Sequence, residues 1–311
     1  MKIFQSISDI PREELSHGYI LTMGNFDGCH LGHQKLINLT ISKLAAKQKS
    51  IVVSFRPHPK KILTPEKGVR LLANYDEKRK FIKELGVDYY VEIPFSRDLS
   101  TLAPRDFLDR YINICGSLKE LVVGYDFSFG ANKSGSQELL KSYCHENGIG
   151  FTVAESLERE GAPISSTRIW DLVASSEVET ANLFLGRSFS ISGIVIKGEG
   201  RGKKIGFPTA NIDYFKDQVV PGNGVYVTKI QWGSLSYHSV TNIGHNPTFG
   251  EIDHISIETH ILDFDKDIYG EQIEVEFLKF IRPEKKFNSV NELIDQISKD
   301  AESSRAWFAE S

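Results

Sequence analysis

The sequence predicts an α/β fold, an N-terminal α/β domain on a parallel sheet followed by an antiparallel β-barrel or sandwich with a terminal helix. In the first half, short apolar runs alternate with helical stretches; in the second, β-branched runs follow one another closely, and the rhythm changes near Gly186. At 311 residues the chain has room for two cores, divided as residues 1–185 and 186–311.

The first half opens with the apolar run Ile20-Leu21-Thr22-Met23, which ends at Gly24, and from His33 onward Ile37, Ile41 and Leu44 recur at helical spacing. The β-branched run Ile51-Val52-Val53 precedes a charged helical stretch over 76–85, which Gly86 ends before a strand over 89–93. Pro104 suits the first turn of a helix that stops at Gly116, Leu121-Val122-Val123 reads as a buried strand, and a helix over 137–146 precedes a strand over 151–153. Such alternation implies parallel βαβ units, whose sheets bind ligands at the carboxyl ends of their strands. Residues 178–185 read as a helix leading into the second half, where strands are expected over 191–196, 225–230, 237–243, 255–262 and 273–280. Val290, Leu293, Ile294, Ile297 and Ala301 mark a closing amphipathic helix.

Composition narrows the function. With 37 basic residues against 41 acidic ones, a net charge of −4 offers no bulk attraction to nucleic acid or an anionic membrane. Cys29, Cys115 and Cys144 lack paired metal spacing and fit reduced thiols in the cytoplasm. No signal-like apolar core follows Met1, and no run approaches the ~18 apolar residues that span a bilayer.

Two segments carry chemistry. Gly24-Asn25-Phe26-Asp27-Gly28-Cys29-His30-Leu31-Gly32-His33 follows the first apolar run and opens a helix. Glycines let backbone N–H groups approach a ligand, a helix N-terminus favours anions, and imidazoles three residues apart share a face. The segment reads as an anion site for a nucleotide triphosphate; adjacent Cys29 and His30 point different ways, which argues against a metal cluster. Gly198 to Asn211 combines Gly198, Gly200, Gly202 and Gly206 with Arg201, Lys203 and Lys204. It fails both the P-loop and the dinucleotide fingerprints, leaving a different phosphate cradle or a solvated turn. The Thr209 hydroxyl and Asn211 carbonyl are hard oxygen donors suited to Mg²⁺.

The first segment resembles the H-x-G-H signature of nucleotidylyltransferases, in the form found in bacterial FMN adenylyltransferases. Ser54-Phe55-Arg56-Pro57-His58-Pro59, Gly124 to Gly130 with Asp126 and Phe127, and Ile164-Ser165-Ser166-Thr167-Arg168-Ile169-Trp170 resemble further motifs of that family. Gly206-Phe207-Pro208-Thr209-Ala210-Asn211, with the preceding Gly-Arg-Gly, resembles the riboflavin kinase signature, as do Pro221 to Tyr226, Asn242 to Phe249, Glu258 to Phe264, 267–270 and 281–287. Together they resemble the bacterial bifunctional riboflavin kinase/FMN adenylyltransferase family over almost the whole chain.

The resemblance implies a Rossmann-like nucleotidyltransferase domain followed by a Greek-key β-barrel riboflavin kinase domain. It implies riboflavin, FMN and ATP as substrates, FAD as final product, and Mg²⁺. By matching position, His30 and His33 contact the ATP phosphates, with Gly24, Asn25, Phe26, Asp27, Gly28, His58, Asp126, Phe127, Ser165, Ser166, Thr167 and Arg168 in the same nucleotide and flavin site. In the second domain Thr209 and Asn211 hold Mg²⁺ with ATP, Glu258 is the general base, and Arg201 assists. Gly198, Gly200, Gly202, Lys203, Gly206, Pro208, Asn242 and Arg305 bind substrates there, and Trp307-Phe308 lies where that family closes over the flavin ring, a place that equally suits ordinary helix-end packing. Trp170 and Ser128 stand where that family usually has Arg, so weaker adenylyl transfer is expected, with Arg168 or Lys133 as partial substitutes.

Overall fold

Parallel strands β1 (Lys2–Phe4), β2 (Tyr19–Met23), β3 (Lys49–Arg56), β4 (Tyr89–Pro94), β5 (Leu118–Gly124) and β6 (Gly150–Ala154) form the N-terminal sheet, in the order β1-β4-β3-β2-β5-β6. The structure, a computed structural model, describes residues 1–114, 116–130, 134–198, 200–246 and 254–310. Cys115, Lys133, Glu199 and the 247–249 part of the second-half motifs lie outside the described residues.

Helices α1 (Leu31–Ser42), α2 (Pro59–Leu63), α3 (Tyr75–Glu84), α4 (Arg97–Ser100), α5 (Pro104–Phe107) and α6 (Gln137–Glu146) link the strands. Every residue of β2 is buried, as a strand covered on both faces requires. From β2 the chain builds outward through β3 and β4 on one side, then returns to β5 and β6 on the other. Strand order therefore reverses between β2 and β5, the kind of switch point at which open α/β sheets bind ligands beyond the carboxyl ends of their strands.

Three local differences from the sequence reading have physical causes. Helix α1 starts at Leu31 rather than His33, because His30 caps it with its ring. The helix expected from Pro104 continues after α5 as a π-helical turn over Leu108–Ile112, and the Tyr19 hydroxyl donates to the Ile112 carbonyl at 2.6 Å. Strand β1 is short and lies at the sheet edge, so it leaves little trace in the apolar pattern.

After a short hairpin of β7 (Glu158–Arg159) and β8 (Ala162–Pro163) come α7 (Ser166–Ala174) and α8 (Val178–Leu185). The chain divides into two compact units, Met1–Val69 with Tyr75–Ser165, and Arg70–Asn74 with Ser166–Ser311. The break between the two units falls before α7. Helix α8 belongs with the strands that follow: Asn182 donates to the Phe277 carbonyl at 2.8 Å and accepts from the Phe189 N–H at 2.6 Å.

The second unit is a closed barrel of β9 (Phe189–Ile196), β10 (Ala210–Tyr214), β11 (Gly224–Trp232), β12 (Leu235–Asn246), β13 (His254–Ile261) and β14 (Gln272–Arg282). The strands follow the antiparallel circuit β10-β13-β12-β11-β14-β9, in which β14 returns beside β11 after the β11–β13 meander, a Greek key. Closure removes the sheet edges and decides for a barrel over a sandwich. A buried hydroxyl chain crosses its interior, Ser239 to Thr228 at 2.8 Å, Thr228 to Thr241 at 2.7 Å and Thr241 to Thr259 at 2.8 Å. The single turn α9 (Arg201–Lys204) precedes β10, and α10 (Val290–Glu310) closes the chain.

Candidate active sites

In the first unit, the loop after β2 packs tightly onto the sheet. The Gly24 N–H donates to the Val53 carbonyl at 3.1 Å, and Phe26 turns its ring wholly inside from a left-handed backbone, φ 51°. Gly28 at φ 70° takes a conformation that a Cβ disfavours. The loop feeds α1, where His30 Nδ1 accepts the His33 N–H at 3.3 Å and the two imidazoles stack 3.6 Å apart. A Cβ at Gly32 would press on the His30 ring at 3.1 Å, and the Ile164 carbonyl, which leads to Ser165, lies on the same side at ordinary contact distance.

The electrostatics suit an incoming anion. His33 Nδ1 is buried with no hydrogen-bond partner among the described residues, and burial, His30 and Lys78 hold its imidazole well below the usual histidine range. His58 caps α2, accepting the Lys60 N–H at 3.2 Å, and burial followed by nearby Lys78, Lys60 and Lys61 pulls it down to about 4. At the end of β5, Asp126 is exposed and the Phe127 N–H returns to the Gly124 carbonyl at 3.2 Å. Phe127 stacks on Phe129 at 5.7 Å, and contacts through Phe107 and Phe55 extend this aromatic wall.

In the second unit, Asn211 of β10 lies opposite Glu258 of β13, which in turn lies opposite Asn242 of β12. Directly opposed residues share a sheet face, so the carboxylate is flanked by two amides. Gly198, Gly200, Arg201, Thr209, Asn211 and Glu258 line one cleft of about 570 Å³. A Cβ at Gly198 would overlap the Asn211 amide, so glycine is needed for that approach. His260 Nδ1 lies 2.8 Å from the Pro208 carbonyl and steadies the turn before Thr209.

Residues 12–168 match the FAD synthetase family and residues 185–308 the riboflavin kinase family. The chain is 37% identical over 294 residues to the bifunctional riboflavin kinase/FMN adenylyltransferase of Listeria monocytogenes, covering 93% of this chain and 92% of that one. It is 34% identical over 310 residues to the enzyme of that name from Escherichia coli K12, covering 99% and 98%. The chain belongs to the bifunctional riboflavin kinase/FMN adenylyltransferase family. A crystal structure described as a macrolide-efflux protein from Streptococcus pneumoniae is also similar, with a TM-score of 0.87 at 31% identity over 98% of this chain and 99% of that one. Among the described residues, no helix is long and apolar enough to cross a membrane.

Against the riboflavin kinase/FMN adenylyltransferase pattern, several residues singled out in the sequence come together and others do not. Gly24 to Gly28, His30, His33 and the chain approaching Ser165 cluster beyond β2. Ser166, Thr167 and Arg168 begin α7 in the second unit, where the Arg168 guanidinium lies 4.5 Å from the Phe184 ring centre. Ser128 is exposed, and Trp170 is half-buried in α7. Gly202, Lys203, Gly206 and Pro208 belong to the α9 turn and its exit, outside the residues that line the barrel cleft. Arg305 pairs with Asp263 at 2.7 Å on the surface, while Phe308 stacks on His238 at 3.7 Å. Sequence reasoning missed Lys78, which sits under the first loop, because a lysine in a charged helical stretch reads as a solvated residue.

Proposed function

We propose that the barrel unit transfers the γ-phosphoryl group of ATP to riboflavin, and that the α/β unit transfers AMP from a second ATP to the resulting FMN, releasing pyrophosphate. Membership of the family supports both reactions. In sequence terms, residues 1–185 would carry the adenylyltransferase and residues 186–311 the kinase.

The opposed pair Asn211 and Glu258, in one cleft with Thr209 and Gly198, carries the kinase assignment. Glu258 accepts the proton of the ribityl 5′-hydroxyl; the oxygen then bonds the γ-phosphorus as the bond to the ADP oxygen breaks. A primary alcohol is weakly acidic, so a positioned carboxylate is the group this step needs. Thr209 and Asn211 suit Mg²⁺, since a hydroxyl and an amide carbonyl are hard oxygen donors and Gly198 leaves the Asn211 amide its space. When bound, Mg²⁺ neutralises charge on the transferring phosphates. Arg201, which lines the cleft, supplies a further cation.

In the α/β unit, an FMN phosphate oxygen attacks the α-phosphorus of ATP and pyrophosphate leaves. His30, His33 and the N–H groups of Gly24 to Gly28 meet the growing negative charge, and the orphaned Nδ1 of His33 supports a ligand at that spot. Asp126 and Phe127 flank the flavin beside the aromatic wall. The buried free thiol of Cys144 is compatible with a cytoplasmic setting. Glu258→Gln is expected to abolish FMN formation while riboflavin affinity, read by flavin fluorescence, stays within about threefold; unchanged turnover would remove Glu258 from this role.

A further inference from the structure

Helix α3 sends a lysine beneath the glycine loop that follows β2. Lys78 is 6% exposed, and its Nζ donates to the Asn25 carbonyl at 3.2 Å and to the Ser54 hydroxyl at 3.0 Å. Ser54 also donates to the Asn25 carbonyl at 3.2 Å, so α3, β3 and the loop meet in one closed set of hydrogen bonds. Both partners of the ammonium are neutral. Taking a cation out of water costs several kcal/mol even after the protein relaxes, and an apolar side chain would fill the same space without that cost.

The surroundings say what the charge acts on. Asp27 in the loop and Glu92 on β4 favour it, while Arg56 at the end of β3 and Arg79 on α3 oppose it. Glu92 is itself held by Arg79 and faces the Tyr90 hydroxyl at 3.4 Å, and the Tyr75 ring centre lies 5.5 Å from Nζ. The imidazoles of His33 on α1 and His58 ahead of α2 both feel Lys78 as a repelling cation.

We propose that Lys78 is a positioning residue for adenylyl transfer: it fixes the Asn25 carbonyl so that the loop's N–H groups face the nucleotide. The inference rests on the loop being the triphosphate site. Burial pulls the Lys78 ammonium itself down to about 8, so the charge is lost within a measurable range.

The test is the pH profile of kcat/KM for MgATP, with FMN supplied directly, which reports groups of the free enzyme. The wild-type profile is expected to fall above pH about 8, and in Lys78→Arg the fall moves up, because a guanidinium stays charged. Lys78→Met is expected to lose roughly tenfold to a hundredfold at neutral pH. A wild-type profile flat to pH about 9.5, or a folded Lys78→Met with wild-type kcat/KM at neutral pH, overturns the assignment. His33→Asn separates the two levels: if it makes FAD at the wild-type rate, the triphosphate site itself is wrong; if it is inactive while Lys78→Met is not, only the lysine's role fails.

Discussion

Glu258 and His33 illustrate how little of a residue's chemistry is local. Glu258 is one of 41 acidic residues, and only its register opposite Asn211 and Asn242 puts it in a cleft with hard oxygen donors. His33 was legible from its spacing to His30, whereas the ring stacking and the orphaned Nδ1 depend on the buried loop around it. Trp170 is the sharpest departure from the family pattern, since an indole lacks the forked cationic donors with which Arg grips phosphate. Trp170→Arg is expected to raise the rate of FAD formation from FMN and ATP several-fold, measured with the wild-type chain in parallel; no gain would show that the indole costs nothing.

Most elements were legible because each carries its own period. Helix α6 matches its expected span, and the expected strands from 20–23 to 273–280 all lie within or close to observed ones. Strand β10 escaped because its residues sit inside a glycine- and lysine-rich signature that reads as a loop, and the segment 70–74 gives no sign that Leu71 will accept from the Val219 N–H at 2.8 Å. Helix α10 was read from its apolar stripe, yet its strongest tie is polar: buried Asp300 receives Arg282 at 2.7 Å and 3.0 Å and Gln296 at 3.0 Å. Removing one member of a buried pair strands the other charge, so Asp300→Ala is expected to destabilise the second unit by about 3 kcal/mol or more. Urea unfolding followed by the barrel's tryptophan fluorescence would check it, and a loss within about 0.5 kcal/mol would mean the pair is solvated in solution.

For the chain as a whole, two independent rhythms specified two architectures, while the break between the compact units at Ser165 depends on α8 packing with the barrel strands. Burial of imidazoles gives the first unit its pH response. His58 is held at about 4 and His33 well below its ordinary value, so between pH about 6.5 and 4 the unfolded chain binds protons that the folded one refuses. Stability present above pH about 6.5 is therefore lost as pH falls, by up to about 1.4 kcal/mol per pH unit for each imidazole. Thermal unfolding at pH about 7 and 5 should show this slope, and His58→Gln should flatten it; equal slopes in both chains would mean that His58 is solvated. The most direct test of the two-site account is to incubate the protein with riboflavin and excess MgATP and separate the flavins by chromatography. FMN should appear first and then give way to FAD; riboflavin left unchanged, or FMN that never proceeds to FAD, would contradict it.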